Sequence, residues 1–505
     1  MERDRNEKGV NIEAVAVPVR AEAMFDRLTA AEQNGNLLEV MDAEFGKPLS
    51  MPAVWACRSF FYKLDEKDYE GRYPLISVRA LIESLAGDLA EAKRYTDMLT
   101  VQPEGESADD GMRRRFILLS TELVMPYISG AQFVRTVRTI EAMKLPPIQS
   151  LTISASSPSI INGFRDFCIY GPLIEKNRHR ITASIKSLYG TSGKGVYETA
   201  LAEWYYQNDR CFDALLLVAG TIPLLEAEDD ARCLFVAMAL QMKILLMNGQ
   251  SDAAEPLVSK IRAKIEKMGG EEPISSLNAL SCRASMYDGR MERVEKWLED
   301  EAPDENEEIY MMNIYAYLAK IRCYIVTGKS MLAVVLVKRL LHILQGGRRY
   351  MDSCECYMLS ALICYREGRK EQFIEEFDTA VKIARHRKLY RILGDEGNCM
   401  VSMMREYQAE KGHDEFTDGV VEIAEKVGQQ FPDYLKAPHE YFDELTASEK
   451  SVLTLIATGR TNDEIADMLG RNIGTVKFHS AMIYKKLGVR NRQQAVNRAR
   501  ELGIL

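Results

Sequence analysis

No apolar run in this 505-residue sequence reaches the roughly 20 residues that a membrane-crossing helix needs. The longest, around Ala214 to Leu225 and Met331 to Val337, are interrupted by Pro223 or followed by Lys338 and Arg339. None follows the opening Met1-Glu-Arg-Asp-Arg-Asn-Glu-Lys, so neither a secretory signal nor a membrane partner is expected, and the chain reads as cytoplasmic. Cysteine is present but unpatterned: the ten are scattered, no two stand as CxxC, and Cys354 and Cys356 would diverge by about 200° on a helix. The six histidines do not cluster with them. Buried free thiols are therefore expected, with no metal site and no cofactor.

Catalytic patterns are equally scarce. Gly190-Thr-Ser-Gly193-Lys194-Gly195 resembles a phosphate loop, but a Walker A loop has four residues between its glycines and Ser or Thr after the lysine. Here two residues intervene, Gly195 follows, and no strand-forming run precedes it; the segment reads as a turn between helices. No Ser/His/Asp or Cys/His arrangement stands out, and acids such as Asp229-Asp230 or those of Glu301 to Glu308 read as solvated charge. No strand and helix alternation near the N-terminus suggests a phosphate-accepting receiver domain. An enzyme is not expected. With 47% hydrophobic and 28% charged residues the composition is that of a folded protein, and the length calls for more than one domain.

What the sequence does contain is a period. Asp209, Gly249, Gly289, Gly328 and Gly368 stand at intervals of about 40 residues, within the range of helix-pair repeats. Each follows a helix-like apolar segment and is followed five residues later by an apolar residue: Ala214, Ala254, Val294, Ala333 and Phe373. Gly87 with Ala92 has the same form. A fixed period of this length with two helices per unit marks an α-solenoid, in which a turn residue ends one helix and the residue at plus five packs the second against it. The region resembles tetratricopeptide-type repeats, with a longer unit. Leu145 to Gly171, with paired prolines and a Ser/Thr-rich run, breaks the period and reads as an extended crossing of the solenoid, while Gln102 to Asp110 reads as an exposed loop. Pro432 and Pro438 mark a linker.

The chain from Phe442 on differs in kind. Thr446 with Glu449, and Thr461 with Glu464, fit the S/T-x-x-E capping box, and Asn472 and Asn491 can cap two further helices. With Gly459, Gly470 and Gly488 as stops, four short helices are predicted at about 447–458, 462–469, 473–487 and 492–502. In the third, Val476, Ser480, Ile483 and Leu487 would face a core, leaving Gly474, Phe478, Ala481 and Lys485 outward and Lys477 on the flank. From Met468 to Arg500 there are eight basic residues and no acid, where about five acids would be expected from the 74 in the chain. Residues 442–505 hold ten basic residues against seven acidic, +3; the remainder holds 55 against 67, −12. A basic stripe on an acidic protein is the footprint of a surface that meets nucleic-acid phosphate.

Leu445-Thr-Ala-Ser-Glu-Lys, Thr461-Asn-Asp-Glu-Ile-Ala, Thr475-Val-Lys-Phe-His and Ile483-Tyr-Lys-Lys-Leu-Gly-Val together resemble the LuxR-type helix-turn-helix of bacterial transcription regulators. Behind helical repeats, this domain is similar to the architecture of the large MalT-like regulators. Their ATPase module has no counterpart in this sequence, which leaves open a naturally short regulator or a piece of a longer one. The resemblance implies an all-α protein: an α-solenoid sensing or assembly domain over 1–430, a linker at 431–441, and a four-helix DNA-binding domain over 442–505. It implies that the third helix of that domain enters the major groove, braced by the second, and that double-stranded DNA is met by Thr461, Asn472, Gly474, Thr475, Lys477, Phe478, Ala481, Lys485, Lys486, Arg490 and Arg492. Lys477 is the expected phosphate or base-edge contact, Thr475 a phosphate contact, and Phe478 and Ala481 would face the bases. A homodimer on DNA through the last helix is implied as well, with Val496 and Ala499 as its contact. The sequence departs from the family pattern at Ser448, where arginine is usual, and at Arg471, where an apolar residue is usual. An effector, small molecule or protein, is expected at the repeats. The rival reading is a protein-interaction scaffold whose terminal domain only docks.

Overall fold

The computed structural model describes residues 21–46, 51–144, 157–163, 165–227, 231–267, 273–436, 445–487, 489, 491–501 and 504. The first part of the expected crossing, Asp229 and Asp230, and the linker from 437 on lie outside the described residues. Among the described residues the regular elements are all helical, apart from one isolated antiparallel bridge between Asn162 and Asp166. None of these helices is long and apolar enough to cross a membrane. By contact the chain divides into two compact units, residues 1–323 with 331–434, and residues 435–505 with the short stretch 324–330.

The period of the sequence is a ladder of helix pairs: Val196–Gln207 with Cys211–Ala227, Ala231–Met247 with Ala254–Lys267, Ile274–Tyr287 with Met291–Asp300, Ile314–Val326 with Ser330–Ile343, and Tyr350–Arg366 with Lys370–Arg387. Each turn residue is left-handed: φ is 60° at Asp209, 79° at Gly249, 70° at Gly289, 75° at Gly328 and 70° at Gly368, and 86° at Gly87 in the earlier pair Tyr73–Ala86 and Leu89–Met98. In all six the amide after the turn residue donates to the carbonyl five residues back, at 2.8–3.0 Å, closing the Schellman turn that ends the first helix. Glycine enters this conformation without a Cβ clash, and Asp is among the few other residues that tolerate it. The residues at plus five, Ala92, Ala214, Val294, Ala333 and Phe373, are fully buried, while the Ala254 side chain lies outside the described set.

Two closures turn the ladder back on itself. Near the N-terminus Trp55 stacks on Tyr310 at 5.1 Å and Arg58 pairs with Glu308 at 3.0 Å. Gly87 lies so close to Ile343 that an added Cβ would stand 3.0 Å from its side chain. At the other end, Arg391 reaches Asp209 at 2.6 Å, Tyr206 donates to Asp395 at 2.7 Å, and Tyr287 donates to the Asp395 carbonyl at 2.9 Å. Phe431 and Tyr434, expected in the linker, are instead buried in the larger unit, where Tyr434 stacks on Tyr287 at 3.8 Å and donates to Glu396 at 3.1 Å.

The inner face carries charge. The residue six before each turn is Glu203, Lys243, Arg283 and Arg322 in four successive repeats, all on the first helix of the pair. Arg322 (0% exposed) donates to Glu396 at 2.5 Å and lies 2.6 Å from Glu355, as an ion pair whose angle does not make a hydrogen bond. Lys243 pairs with Asp395 at 3.1 Å. Glu203 accepts from Ser159 Oγ and, at 2.7 Å, from the Ile160 amide, so the crossing segment is anchored on the ladder from Ser159. Asn162 and Asp166 of the same segment hold Asp352 at 2.7 Å and the Met351 amide at 2.9 Å.

The Gly190–Gly195 segment is a turn between the Arg178–Tyr189 helix and Val196–Gln207. A Cβ on Gly193 would stand 2.7 Å from Ile185, and one on Gly195 2.6 Å from Leu225, so close packing accounts for these glycines. None of the ten cysteines forms a disulfide, and eight of them are buried.

Burial raises the Glu203 carboxyl from its ordinary 4.5 to about 7, against the lowering effect of its hydrogen bonds from Ser159 and Ile160. The folded chain therefore holds a proton there that the unfolded chain releases near 4.5. Stability from this group is complete below that pH and is lost as pH rises to 7. Unfolding free energy should fall over this window by on the order of 3 kcal/mol. Glu203→Gln, neutral throughout, should flatten that part of the profile in urea denaturation followed from about pH 4.5 to 8.

Candidate nucleic-acid interface

The terminal unit forms four helices, Ala447–Ala457, Asn462–Leu469, Ile473–Lys486 and Arg492–Glu501, each within a residue of its predicted limits. Capping sets the starts. Thr446 and Thr461 each accept the amide of the glutamate three residues on at 3.3 Å, and that glutamate accepts the threonine amide in return, at 2.7 and 2.8 Å. Asn472 Oδ1 accepts the Thr475 amide at 3.0 Å. Gly470, at φ 63°, ends the second helix and turns the chain into the third.

One core organises all four helices. Val452, Leu453 and Ile456 of the first, Ile465 and Ala466 of the second, Val476, Ile483 and Leu487 of the third, and Ala495, Val496 and Ala499 of the fourth form one buried cluster. Ser480 is buried with them. The opposite face of the third helix is open: Gly474, Lys477 and Ala481 are exposed, and Phe478, at 62% exposure, belongs to the surface and not the core. Its ring lies edge-on to His479, with centroids 5.9 Å apart. Gly474 leaves room for the cap, because a Cβ there would stand 3.0 Å from Asn472 Oδ1. An uncluttered helix start, whose first amides have no partner within the helix, favours an approaching anion.

The predicted basic residues do not form one surface. Lys477 is exposed. Lys486 is turned inward, 2.8 Å from Glu449, with side-chain exposures of 12% and 6%. Burial works to raise the Glu449 carboxyl, but the hydrogen bonds from Lys486 and Thr446 outweigh it and hold the group below its ordinary value. Arg492 donates to the carbonyls of Ile456, at 3.2 Å, and Arg460, and so closes the end of the first helix. The Lys485 side chain and Arg490 lie outside the described residues. Thr461 is exposed but its hydroxyl serves the capping box; Thr475 is half-buried, its hydroxyl 3.4 Å from Asn472 Oδ1.

Val496 and Ala499, expected at a dimer contact, are buried at 7% and 0% exposure in the domain's own core, because their i, i+3 spacing faces the first helix. The last helix turns Gln493, Gln494, Asn497 and Arg500 outward. The two departures from the family pattern meet: Arg471 donates to Ser448 Oγ at 3.0 Å and to His479 Nε2 at 2.9 Å. A guanidinium only donates, so His479 Nε2 is the acceptor in this contact. This bridge ties the start of the first helix to the outward half of the third, a role that chain position alone could not reveal.

These positions separate structural from surface roles. Lys486→Ala should destabilise the terminal unit by about 1–3 kcal/mol, because Glu449 stays buried without its cation. Phe478→Ala should leave its unfolding transition in place. Thermal melts of the two full-length variants beside the parent chain check both outcomes.

Comparison with known proteins adds to this geometry. The profile of the family described as "Bacterial regulatory proteins, luxR family" matches residues 443–499. The chain is 39% identical over 72 residues to the transcriptional regulatory protein DesR of Bacillus subtilis, covering 14% of this chain and 36% of that protein. It is 45% identical over 58 residues to the probable transcriptional regulatory protein SgaR of Hyphomicrobium methylovorum, 12% of this chain and 28% of that one. With the HTH-type transcriptional regulator MalT of Serratia proteamaculans the identity is 47% over 58 residues, 12% of this chain and 6% of that one. The chain thus matches 36% or less of the length of each of these relatives, and in each case the match is the size of a single small domain. Capped helices, shared core and sequence matches together make residues 443–499 a LuxR-type helix-turn-helix domain.

Proposed function

We propose that this chain is a sequence-specific DNA-binding transcription regulator, in which the Ile473–Lys486 helix enters the major groove and the helical-repeat domain senses a ligand or a partner. One observation carries the DNA-binding part. The outward face of that helix presents Lys477, Phe478 and Ala481 beside a capped, open helix start, on a segment free of acids in an otherwise acidic chain. Positive charge at the flank draws the phosphate backbone, and apolar groups at the centre suit thymine methyls. Thr475 and the first amides of the helix supply further phosphate contacts. Lys485 and Arg490 remain part of the proposed surface. Lys486 and Arg492 are better assigned to holding the domain together. A homodimer on DNA through the last helix would be made by Gln493, Asn497 and Arg500, the residues that helix turns outward.

The sensing part rests on the other unit. Its helix pairs wrap a polar interior whose walls come from segments far apart in the chain, such as those of Tyr206 and Asp395, so a molecule bound there biases how those segments pack. Tyr434, at the end of that unit, donates to Glu396 behind that wall.

The test is a salt titration of the full chain on duplex DNA. Binding should weaken steeply as salt rises, and Lys477→Ala should reduce affinity for all sequences alike while lowering the slope of log K against log salt by about one. Phe478→Ala should leave the slope unchanged and weaken binding by about 1–3 kcal/mol on the preferred site only. A chain that binds no DNA even at low salt would point instead to a scaffold.

A further inference from the structure

The inner face of the repeat ladder holds a partly open cavity of about 120 Å³, lined from the ladder by Glu203, Gln207, Lys243 and Arg283 and from the crossing segment by Ser159 and Asn162. We infer that this cavity binds a small zwitterion, a molecule of amino-acid size with one ammonium and one carboxylate group. The inference rests on reading the repeat domain as the sensor. It adds the place and the chemistry of what is sensed.

Size sets the first limit. An apolar cavity of about 150 Å³ holds one benzene molecule, so this space takes about six non-hydrogen atoms, the size of a small amino acid.

Unmet hydrogen bonds set the second. Gln207 is 8% exposed, and its buried Oε1 has no donor among the described residues. The buried Oδ1 of Asn162 has none there either, although its Nδ2 donates to Asp352 at 2.7 Å and thereby fixes which way the amide points. Buried acceptors are nearly always satisfied. Two of them on one small cavity call for a ligand rich in N–H or O–H donors, and an ammonium offers three.

Charge sets the third. The two nearest carboxylates to the Arg283 guanidinium, Glu396 and Glu355, lie at 3.4 and 3.6 Å, longer than the 2.7–2.9 Å or so of a charge-assisted hydrogen bond. Both carboxylates are held more closely by Arg322, at 2.5 and 2.6 Å. Arg283 thus keeps donor capacity for an incoming carboxylate, in the planar fork that recognises one. With Glu203 held protonated by burial up to about pH 7 and Asp352 paired with Arg349, the surroundings are otherwise balanced: Lys243, Arg283, Arg322 and Arg391 stand against Asp209, Glu355, Asp395 and Glu396. A ligand with net charge would leave one buried charge uncompensated, whereas a zwitterion adds one of each sign. Its carboxylate takes Arg283, and its ammonium takes Gln207 Oε1 and Asn162 Oδ1.

Calorimetric titration of the full chain tests this with glycine, L-alanine and L-serine, with acetate, propionate and ethylamine as single-charge halves, and with glycerol as a neutral donor-rich probe. At least one zwitterion should bind, the halves and glycerol at least about tenfold more weakly. Gln207→Met, which keeps the volume and removes the acceptor, should weaken that binding about tenfold or more with an unchanged melting temperature, and Arg283→Lys should weaken it in the same direction. Binding of glycerol or of a half as tight as that of any zwitterion overturns the assignment, as does zwitterion binding that Gln207→Met leaves intact, or the absence of binding by all three zwitterions. Repeating the DNA titration with the ligand present separates the two readings. A zwitterion that binds through Gln207 and leaves DNA affinity unchanged supports the site and overturns the sensor. A polyol that changes DNA affinity through the same residue supports the sensor and overturns the zwitterion.

Discussion

A guanidinium stripped of water needs its charge and its donors met inside the protein, and Arg322 is stripped entirely. Its partners are Glu355, on the first helix of the next pair, and Glu396, well beyond it in the chain. Removing either would leave the buried cluster with an excess of positive charge, so the ladder and the segment around residue 396 hold each other in place. Arg283 approaches the same two carboxylates, Tyr434 binds Glu396, and Tyr206 binds the adjacent Asp395. What would otherwise be an open row of helix pairs, each touching only its neighbours, becomes a closed body with a polar interior.

The outer frame of that body is legible in the sequence. The turn residues recur at a steady interval because each must leave the right-handed region, and the apolar residue at plus five recurs because the paired helix must pack. The charged ladder was legible too: Glu203, Lys243, Arg283 and Arg322 stand at one offset from the turns. It escapes notice because charge on a helix ordinarily means a solvated face, and only the closing segment shows that this face is inside. That closure has no local signature. Asp395 and Glu396 resemble any other pair of acids, and their partners, Tyr206 and Tyr287 among them, are set by tertiary packing between distant parts of the chain.

In the terminal domain the caps fix the helix limits well, because their partners lie three residues apart. The basic stripe is less readable. Lys477 and Lys486 look alike in a charge count, yet one is exposed while the other meets Glu449, two helices upstream. Arg492 serves backbone carbonyls, acceptors that no sequence pattern displays. Val496 and Ala499 are small and helically spaced, which suits a domain core as well as a dimer contact; core burial is what the fold makes of them. Ser448 and Arg471 are exceptions to the family pattern when taken singly and partners in one hydrogen bond when taken together.

The closure also orders events in the life of the chain. A polypeptide leaves the ribosome from its N-terminus, and the inner cations Lys243, Arg283 and Arg322 emerge well before the acids Asp395 and Glu396. Until then those cations have no complete set of partners, and the interior cannot be sealed. A chain broken off before Asp395 would leave those cations short of partners and its interior open to proteases, so the fold itself discriminates against chains that are synthesised only in part.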